Sequence, residues 1–219
     1  MAKLGVRAVL LLIVLGGCSG LSEARVPLSP PGSEPYDQRL LGSWFSEQEE
    51  SNKIFYIHLK SRSEPNMLDG TGILMEIGDS EFDETDAADI VWSTAIVHAS
   101  KLDESTYYNI RRLIGIGDDY GASEDKKGYI IAKADLIDDQ VLKLCLMKWF
   151  NVDSAIERSD IKGTLVEENE SKNIKLEYHY MDTSRAELVE FIRDDRNGDL
   201  FDDCLQFQKL TSILLSAGK

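Results

Sequence analysis

The chain has 219 residues, of which 42% are hydrophobic and 29% charged, a balance typical of a soluble globular protein rather than a disordered one. Its length suits one domain, or at most two small ones, with a buried core. The 24 basic residues against 39 acidic ones give a net charge of −15. This charge argues against non-specific nucleic-acid binding and against attachment to an anionic bilayer by charge alone, because both need clustered cations.

The first residues have the pattern of a secretory signal. Lys3 and Arg7 supply positive charge, and residues 8–15 form an apolar run. That run is too short to cross a bilayer but has the right length for the core of a signal peptide. We therefore expect residues 1–17 to be a signal peptide whose removal leaves the mature chain with a charge of −17.

The sequence Leu15-Gly16-Gly17-Cys18 resembles the lipobox of bacterial lipoproteins. The resemblance implies cleavage before Cys18, acylation of its thiol and of the new amino terminus, and stable anchoring by more than one acyl chain. Ser19 follows where an aspartate would indicate retention at the inner membrane. An outer-membrane lipoprotein facing the periplasm is therefore implied. The alternative is an ordinary signal peptide with an incidental cysteine.

A segment rich in proline and serine comes next. Residues 19–38 contain four of the five prolines of the chain and little hydrophobic periodicity. This composition predicts an extended spacer, partly polyproline II, between Cys18 and the folded domain. We expect the lipidated cysteine and spacer to occupy residues 18–38, the domain 39–212, and a short tail 213–219.

From Leu40 onward the hydrophobic pattern is mainly that of β-strands. Turn-forming residues separate the β-branched and aromatic runs at regular intervals, which is typical of a meander that closes, or nearly closes, into a barrel. The predicted strands lie at residues 53–59, 71–77, 90–99, 106–113, 128–134, 141–150, 173–181 and 204–210.

Two segments late in the chain interrupt this strand pattern. Residues 152–161 precede a Lys-Gly pair that is a plausible helix stop. Ser184 and Glu187 have the spacing of a capping box, ahead of an apolar stripe that begins at Leu188. We therefore predict two short helices and a β-dominated α+β fold.

Gly42-Ser43-Trp44 stands at the entrance of the first barrel strand. This G-x-W resembles the opening motif of lipocalins and their relatives, in which the tryptophan packs across the closed end of an antiparallel meander barrel. A late arginine covers that tryptophan in the family, whereas here only Lys209 lies near the corresponding place. The family's middle Thr-Asp-Tyr motif is absent, and helices between the last strands do not belong to a simple up-and-down barrel. Trp44 as an ordinary core aromatic remains the alternative.

The resemblance leaves the barrel interior open to two interpretations. It implies a cavity for a small hydrophobic ligand, but a small barrel can equally be filled by its own side chains.

Candidate catalytic residues are few. His58, His98 and His179 lie in separate predicted strands without a short ligand spacing, so ordinary half-buried positions are preferred to a zinc site. The sequence has no G-x-S-x-G nucleophile motif. Residues 115–121 are rich in glycine, but no Gly-Lys-Ser/Thr follows them, and we interpret them as a hairpin loop. We expect no enzymatic activity, no metal and no cofactor.

Acidic residues crowd two segments, 79–89 and 194–203. Asp195, Asn197 and Asp199 have the opening spacing of a calcium loop, but Leu200 stands where a glycine is required and no glutamate closes the loop. Solvated surface is the preferred interpretation of both segments.

Cys145 and Cys204 remain once Cys18 is acylated. A disulfide between them is possible in the oxidising cell envelope. Two buried thiols are equally compatible with the sequence, which does not give their separation in space.

The sequence therefore predicts a lipid-anchored envelope protein with a lipocalin-like domain that binds a small apolar ligand or serves a structural role. Its expected partners are the membrane, through the anchor, and a small hydrophobic ligand, with no nucleic acid. One alternative is a protein-interaction module that presents an acidic face to an envelope partner. A histidine-dependent metallohydrolase is less favoured.

Overall fold

A computed structural model of the chain describes residues 21–48, 53–61, 73–81, 91–113, 128–171, 174–194, 200–201 and 204–210. The expected signal peptide, Cys18 and the expected tail 213–219 lie outside these residues, as do the glycine-rich segment 115–121 and the calcium-like spacing at 195–199.

Eleven strands and two α-helices occur in the part of the chain that the structure describes. The strands are β1 (Leu21–Ala24), β2 (Gly42–Gln48), β3 (Lys53–Ser61), β4 (Ile73–Glu81), β5 (Val91–Leu102), β6 (Ser105–Leu113), β7 (Tyr129–Ile137), β8 (Val141–Leu146), β9 (Gly163–Ser171), β10 (Ile174–Met181) and β11 (Cys204–Lys209). The helices are α1 (Trp149–Glu157) and α2 (Arg185–Arg193), and a 3₁₀ turn spans Gln38–Leu40.

Eight of the strands close into an antiparallel barrel. Each strand from β2 to β8 pairs with the next one along the chain. Strand β11 completes the circle by pairing with β8 on one side and with β2 on the other. Closure of this kind leaves no free edge on the barrel. The prediction of a β-dominated fold with a closed barrel and two late helices is confirmed.

A small outer sheet branches from the barrel wall. Strand β10 pairs in parallel with β1 and antiparallel with β9. Strand β1 is also antiparallel to β7, with Glu23 opposite Ile130. From Ala132 to Ile137, β7 pairs with β8 instead. Strand β8 ends at Leu146, where the chain turns into α1, and β1 pairs with the first residues of β7 that β8 does not reach.

The two ends of the barrel differ in what they carry. The closed end is where β2 begins and where the 3₁₀ turn lies. The far end is where β4 and β8 finish and where β5, β7 and β11 begin, as the strand pairings require. Because β1 is antiparallel to β7, β1 runs toward the far end.

The expected spacer is corrected by the structure over residues 21–38. Strand β1 belongs to a sheet, and Leu28 is buried against the barrel wall. The backbone N–H of Leu28 donates to Oδ1 of Asn109 at 2.8 Å, and Ser29 Oγ lies 2.6 Å from Ser100 Oγ. Prolines prevent regular pairing but not packing, because side chains of the wall can supply the hydrogen bonds. The folded domain therefore includes residues 21–38 and does not start at residue 39.

Two hydrophobic cores share the wall of the barrel. The inner core lies inside the barrel around the fully buried Trp44 and Phe207. The outer core lies between the wall and the two helices and includes Ala24, Val152 and Leu188. Strand β7 serves both cores, which is why its sequence, YIIAKADLI, is almost continuously apolar in its first half.

The starts of the two helices and one strand show where local sequence signals were sufficient and where they were not. Helix α2 begins at the predicted capping box, in which the N–H of Ser184 donates to Glu187 Oε2 at 2.8 Å. Helix α1 begins at Trp149 rather than at residue 152, since the preceding strand ends early and the N–H of Lys148 donates to the carbonyl of Leu200. Strand β9, over Gly163–Ser171, is polar and was not predicted.

Candidate functional site

The G-x-W motif lies at the closed end of the barrel. Gly42 has a φ of 125°, a conformation that side chains with a Cβ rarely adopt. Two residues later, Trp44 is fully buried and its indole Nε1–H donates to the carbonyl of Leu40 at 2.7 Å. The hydrogen bond ties the 3₁₀ turn across the end of the barrel.

A basic side chain covers the tryptophan from the last strand. Lys209 lies opposite Trp44 in the β11–β2 pair, and its Nζ is 5.0 Å from the centroid of the indole ring. The same Nζ donates to the carbonyl of Arg39 at 2.6 Å. This is a cation–π contact, made by a lysine where the expected motif has an arginine.

Ion pairs secure the turn that closes this end. Arg39 contacts the carboxylates of Asp37 and Asp139, the latter at 2.6 Å. The hydrogen bond from Arg39 is the main cause that lowers the pKa of Asp37 below its usual range. Asp139 lies in the turn between β7 and β8. The closed end therefore links the 3₁₀ turn to a barrel hairpin.

Apolar side chains line a small cavity directly inside the closed end. Its volume is about 10 Å³, and its lining residues are Leu40, Leu59, Ile73, Met75, Val97, Tyr108, Ala134, Leu142 and Leu144. A cavity of this size has room for about one water molecule, whereas sites for drug-sized ligands measure several hundred Å³. In the described part of the interior, side chains fill most of the space next to the closed end.

Tyr108 is the one lining residue of this cavity with a side-chain polar group. Burial raises the pKa of its phenol well above the usual value, and the carboxylate of Asp37 adds to the increase. The phenol therefore stays neutral at physiological pH and keeps its proton for donation.

The three histidines take up separate positions. His58 is half-buried with Nδ1 2.7 Å from Ser43 Oγ, and His98 is buried. His179 is buried in β10 with Nε2 2.9 Å from Asp153 Oδ1. Among the described residues, no group of three or more His, Cys, Asp or Glu side chains is arranged to hold a metal ion.

The surroundings of His179 were not predicted from the sequence. Its ring stacks on Trp149, with centroids 5.8 Å apart, and Asp153 reaches it from the next turn of α1. Ser22 lies opposite His179 in β1, and neither Ser22 Oγ nor His179 Nδ1 has a hydrogen-bond partner within the described residues. These polar atoms could accommodate a buried water. No local signal in the sequence joins three segments so far apart.

Cys145 and Cys204 form a disulfide in this structure. They lie directly opposite each other in β8 and β11. The bond joins the two strands between which the chain makes its longest excursion from the barrel, so it reinforces closure of the barrel.

Each of the two acidic segments leads into a strand that begins at the far end of the barrel. Residues 82–90, between β4 and β5, contain four acidic residues and no basic one. Residues 194–203, between α2 and β11, contain five acidic residues and one basic one. The strand termini next to these segments lie at the far end, away from Trp44. Residues 194–203 only end there, because Arg193 at the end of α2 pairs with Asp103 in the turn between β5 and β6 at 2.7 Å.

Comparisons with known proteins add no identity to this picture. A scan against protein-family models finds no match, and neither do searches of curated proteins and of solved structures. Neither described helix is both long enough and apolar enough to span a membrane. The fold defines the chain at the level of an eight-stranded antiparallel barrel with an outer sheet.

Proposed function

We propose that this chain is a lipoprotein of the cell envelope, anchored in the outer membrane through Cys18 and facing the periplasm, whose lipocalin-like barrel holds a small apolar ligand. The observation that carries the ligand proposal is the closed end. Trp44, its bond to Leu40 and the cover provided by Lys209 form a floor beneath an interior lined by apolar side chains.

The lining limits the ligand to a narrow apolar molecule. The cavity of about 10 Å³ admits no bulky group, so a ligand must displace side chains as it enters. Met75 is the most adaptable lining residue, because its unbranched thioether has several rotatable bonds. A single acyl chain fits these requirements better than a fused-ring compound, and Tyr108 could donate a hydrogen bond to a polar group on it.

A pair of variants tests the ligand proposal. The Ala134→Leu substitution adds volume inside the barrel, whereas Asp135→Leu places the same side chain on the exposed outer side of the same strand. We expect a dansyl-labelled fatty acid to bind the wild type saturably, Asp135→Leu to bind equally, and Ala134→Leu to bind about tenfold more weakly. Absence of saturable binding by the wild type would leave only the structural role of the barrel.

The anchor has its own test. Mass spectrometry of the protein purified from bacterial membranes should find an amino-terminal peptide that begins at Cys18 and carries acyl groups. In the Cys18→Ser variant the protein should no longer fractionate with the outer membrane. An unmodified thiol at Cys18 in the mature protein would contradict the anchoring proposal.

The distribution of charge favours a second candidate function, that of a module that presents an acidic face to a basic envelope partner. Both acidic segments flank strand termini at the far end. Cross-linking in intact cells should capture a partner that is lost when Asp202 and Asp203 are changed to Asn. The same partner should persist when Asp135 and Asp138, exposed near the closed end of β7 and in the turn after it, are changed to Asn. Capture that is insensitive to salt and to both pairs of changes would contradict this function.

A further inference from the structure

The chain enters the folded domain close to the expected anchor. Strand β1 begins at Leu21, three residues after Cys18, so at most about 11 Å of chain separates the two Cα atoms. Strand β1 is held on both edges, by β10 and by β7. An acylated Cys18 would therefore hold the outer sheet next to the bilayer, with little freedom to stand off from it.

An apolar surface lies where α1 meets the outer sheet. It consists of the half-buried Trp149 and the exposed Phe150 of α1, together with the exposed Leu165 of β9, and we call it the outer apolar patch. Phe150 is 46% exposed and Leu165 is 51% exposed. The rings of Trp149 and Phe150 meet edge to face at 6.2 Å, and Trp149 stacks on His179. Apolar side chains of this size seldom remain exposed together unless they meet another surface.

The patch is in register with the first strand. His179 lies opposite Ser22 of β1 on one side and opposite Leu165 of β9 on the other. These three residues form one row across the sheet, from β1, the strand that follows Cys18, to Leu165 of the patch. Adjacent strands are about 4.8 Å apart, so the row spans only about 10 Å.

A basic side chain lies beside the patch. Lys148 places its Nζ 5.2 Å from the centroid of the Phe150 ring. A lysine in this position can reach the lipid phosphates while Phe150 enters the apolar layer. The acidic segment 194–203 is also near, because the N–H of Lys148 donates to the carbonyl of Leu200, so the proposed contact depends on the apolar side chains and the anchor rather than on net charge.

We propose that the outer apolar patch is a membrane-contact surface that rests in the interface of the bilayer when Cys18 is acylated. This inference rests on the proposed anchoring function and deepens it. Tryptophan, phenylalanine and leucine are the side chains that enter this interface, with lysine reaching toward the head groups. The barrel then lies on the membrane in one orientation and is not suspended on a flexible spacer.

The test uses the full chain, produced with its own signal segment and purified from bacterial membranes. The chain has three cysteines. Cys145 and Cys204 are bonded to each other and Cys18 is expected to be acylated, so a single new cysteine can be labelled with the polarity-sensitive fluorophore NBD. The label goes on Leu165→Cys and, as the matched control, on Ile137→Cys, an apolar residue that is 43% exposed on a barrel strand.

Both labelled proteins are reconstituted into vesicles of phosphatidylethanolamine with a minority of phosphatidylglycerol, with and without a lipid that carries a nitroxide quencher near its head group. We expect the label at position 165 to be quenched about fivefold more than the label at 137, because an interfacial residue lies within the head-group region. Equal quenching at the two positions in acylated protein would overturn the membrane contact. A second outcome would also overturn it. If the label at position 165 is shielded from solvent in native bacterial membranes but not in the lipid vesicles, the patch is covered by a protein.

The same samples separate this inference from the anchoring proposal. Mass spectrometry of the amino-terminal peptide reports acylation directly. An unacylated peptide refutes the anchor, whereas an acylated peptide without preferential quenching at 165 refutes only the membrane contact. The Phe150→Cys variant, labelled in the same way, should follow position 165 rather than position 137.

Discussion

Asn109 makes a larger contribution to the fold than its residue type suggests. It is fully buried in β6, and its Nδ2 donates to the carbonyl of His98 at 3.0 Å and to Ser100 Oγ at 2.7 Å. Its Oδ1 accepts the N–H of Leu28. One side chain therefore fixes the barrel wall to the segment that follows β1. Asparagine is uncommon in strands, so its presence in a predicted strand was a weak signal of a special role.

The substitution Asn109→Ala should lower the free energy of unfolding by about 3 kcal/mol, because it leaves a buried N–H and a buried carbonyl without partners. Urea denaturation followed by tryptophan fluorescence measures the change. Gln206→Ala, at an exposed position in β11, is the control and should have little effect. A loss below about 0.5 kcal/mol at Asn109 would mean that other groups satisfy these atoms.

At the scale of elements, β1 depends on a glycine in the loop before β7. A Cβ on Gly128 would lie 2.8 Å from Glu23 Cβ and 2.9 Å from the carbonyl oxygen of Ala24. Its N–H donates to Glu23 Oε2 at 3.2 Å. Only a residue without a side chain allows β1 to approach the wall this closely.

We expect Gly128→Ala to displace β1 while the barrel itself stays folded, since the eight barrel strands pair without β1. Limited proteolysis should then cleave between residues 21 and 29, and near-ultraviolet circular dichroism should remain close to that of the wild type. Asp135→Ala, an exposed change in β7, should leave the cleavage pattern unaltered. Resistance of Gly128→Ala to cleavage in this segment would contradict the role assigned to the glycine.

The capping box of α2 predicts a dependence on pH. Hydrogen bonds from the side chain and the N–H of Ser184, and then from Thr183, lower the pKa of Glu187 below the usual 4.5. Because the folded pKa is below the unfolded one, this contribution to stability is fully present above about pH 4.5 and is lost as the pH falls through the folded value.

Thermal unfolding at pH 7 and at pH 3 measures this effect. The melting temperature of the wild type should fall on acidification, and Glu187→Gln should fall less, because the amide keeps the capping geometry without titrating. Glu190→Gln, at an exposed position on the same helix, is the matched control and should behave as the wild type. An identical fall in Glu187→Gln and the wild type would show that the capping carboxylate does not contribute.

At the scale of the whole molecule, barrel closure depends on two strands that are distant in the sequence. Between β8 and β11 the chain forms α1, β9, β10 and α2 before it returns. The disulfide fixes this return, since it joins residues 59 positions apart. A crosslink across a loop of this length restricts the unfolded chain and so favours the folded state.

Reduction of the bond between Cys145 and Cys204 should lower the free energy of unfolding by about 4 kcal/mol, as loop-closure entropy predicts for this separation. Urea titration with and without dithiothreitol measures the difference. The double variant Cys145→Ser/Cys204→Ser should match the reduced wild type and should not respond to the reagent. An unchanged midpoint in the reduced wild type would contradict the contribution assigned to the disulfide.

Local patterns in the sequence were enough for most of the barrel. Runs of β-branched and aromatic residues predicted β3 to β8, β10 and β11, although β8 ends earlier than expected, and the capping box predicted where α2 begins. Strand β9 was not predicted because its sequence, GTLVEENES, has no repeated apolar face. Strand β1 was not predicted because it has only four residues before a proline-rich stretch, too few to show the alternation that distinguishes a strand from a spacer.

The sequence by itself determined the class of fold, the candidate anchor at Cys18, the G-x-W motif and the acidity of two segments, because each of these depends on neighbours along the chain. Only the tertiary structure decided that residues 21–29 pack on the barrel, that Lys209 covers Trp44, that Cys145 faces Cys204, and that an apolar patch lies near the first strand. These features join residues that are far apart in the sequence, and their pairing follows from how the sheet closes.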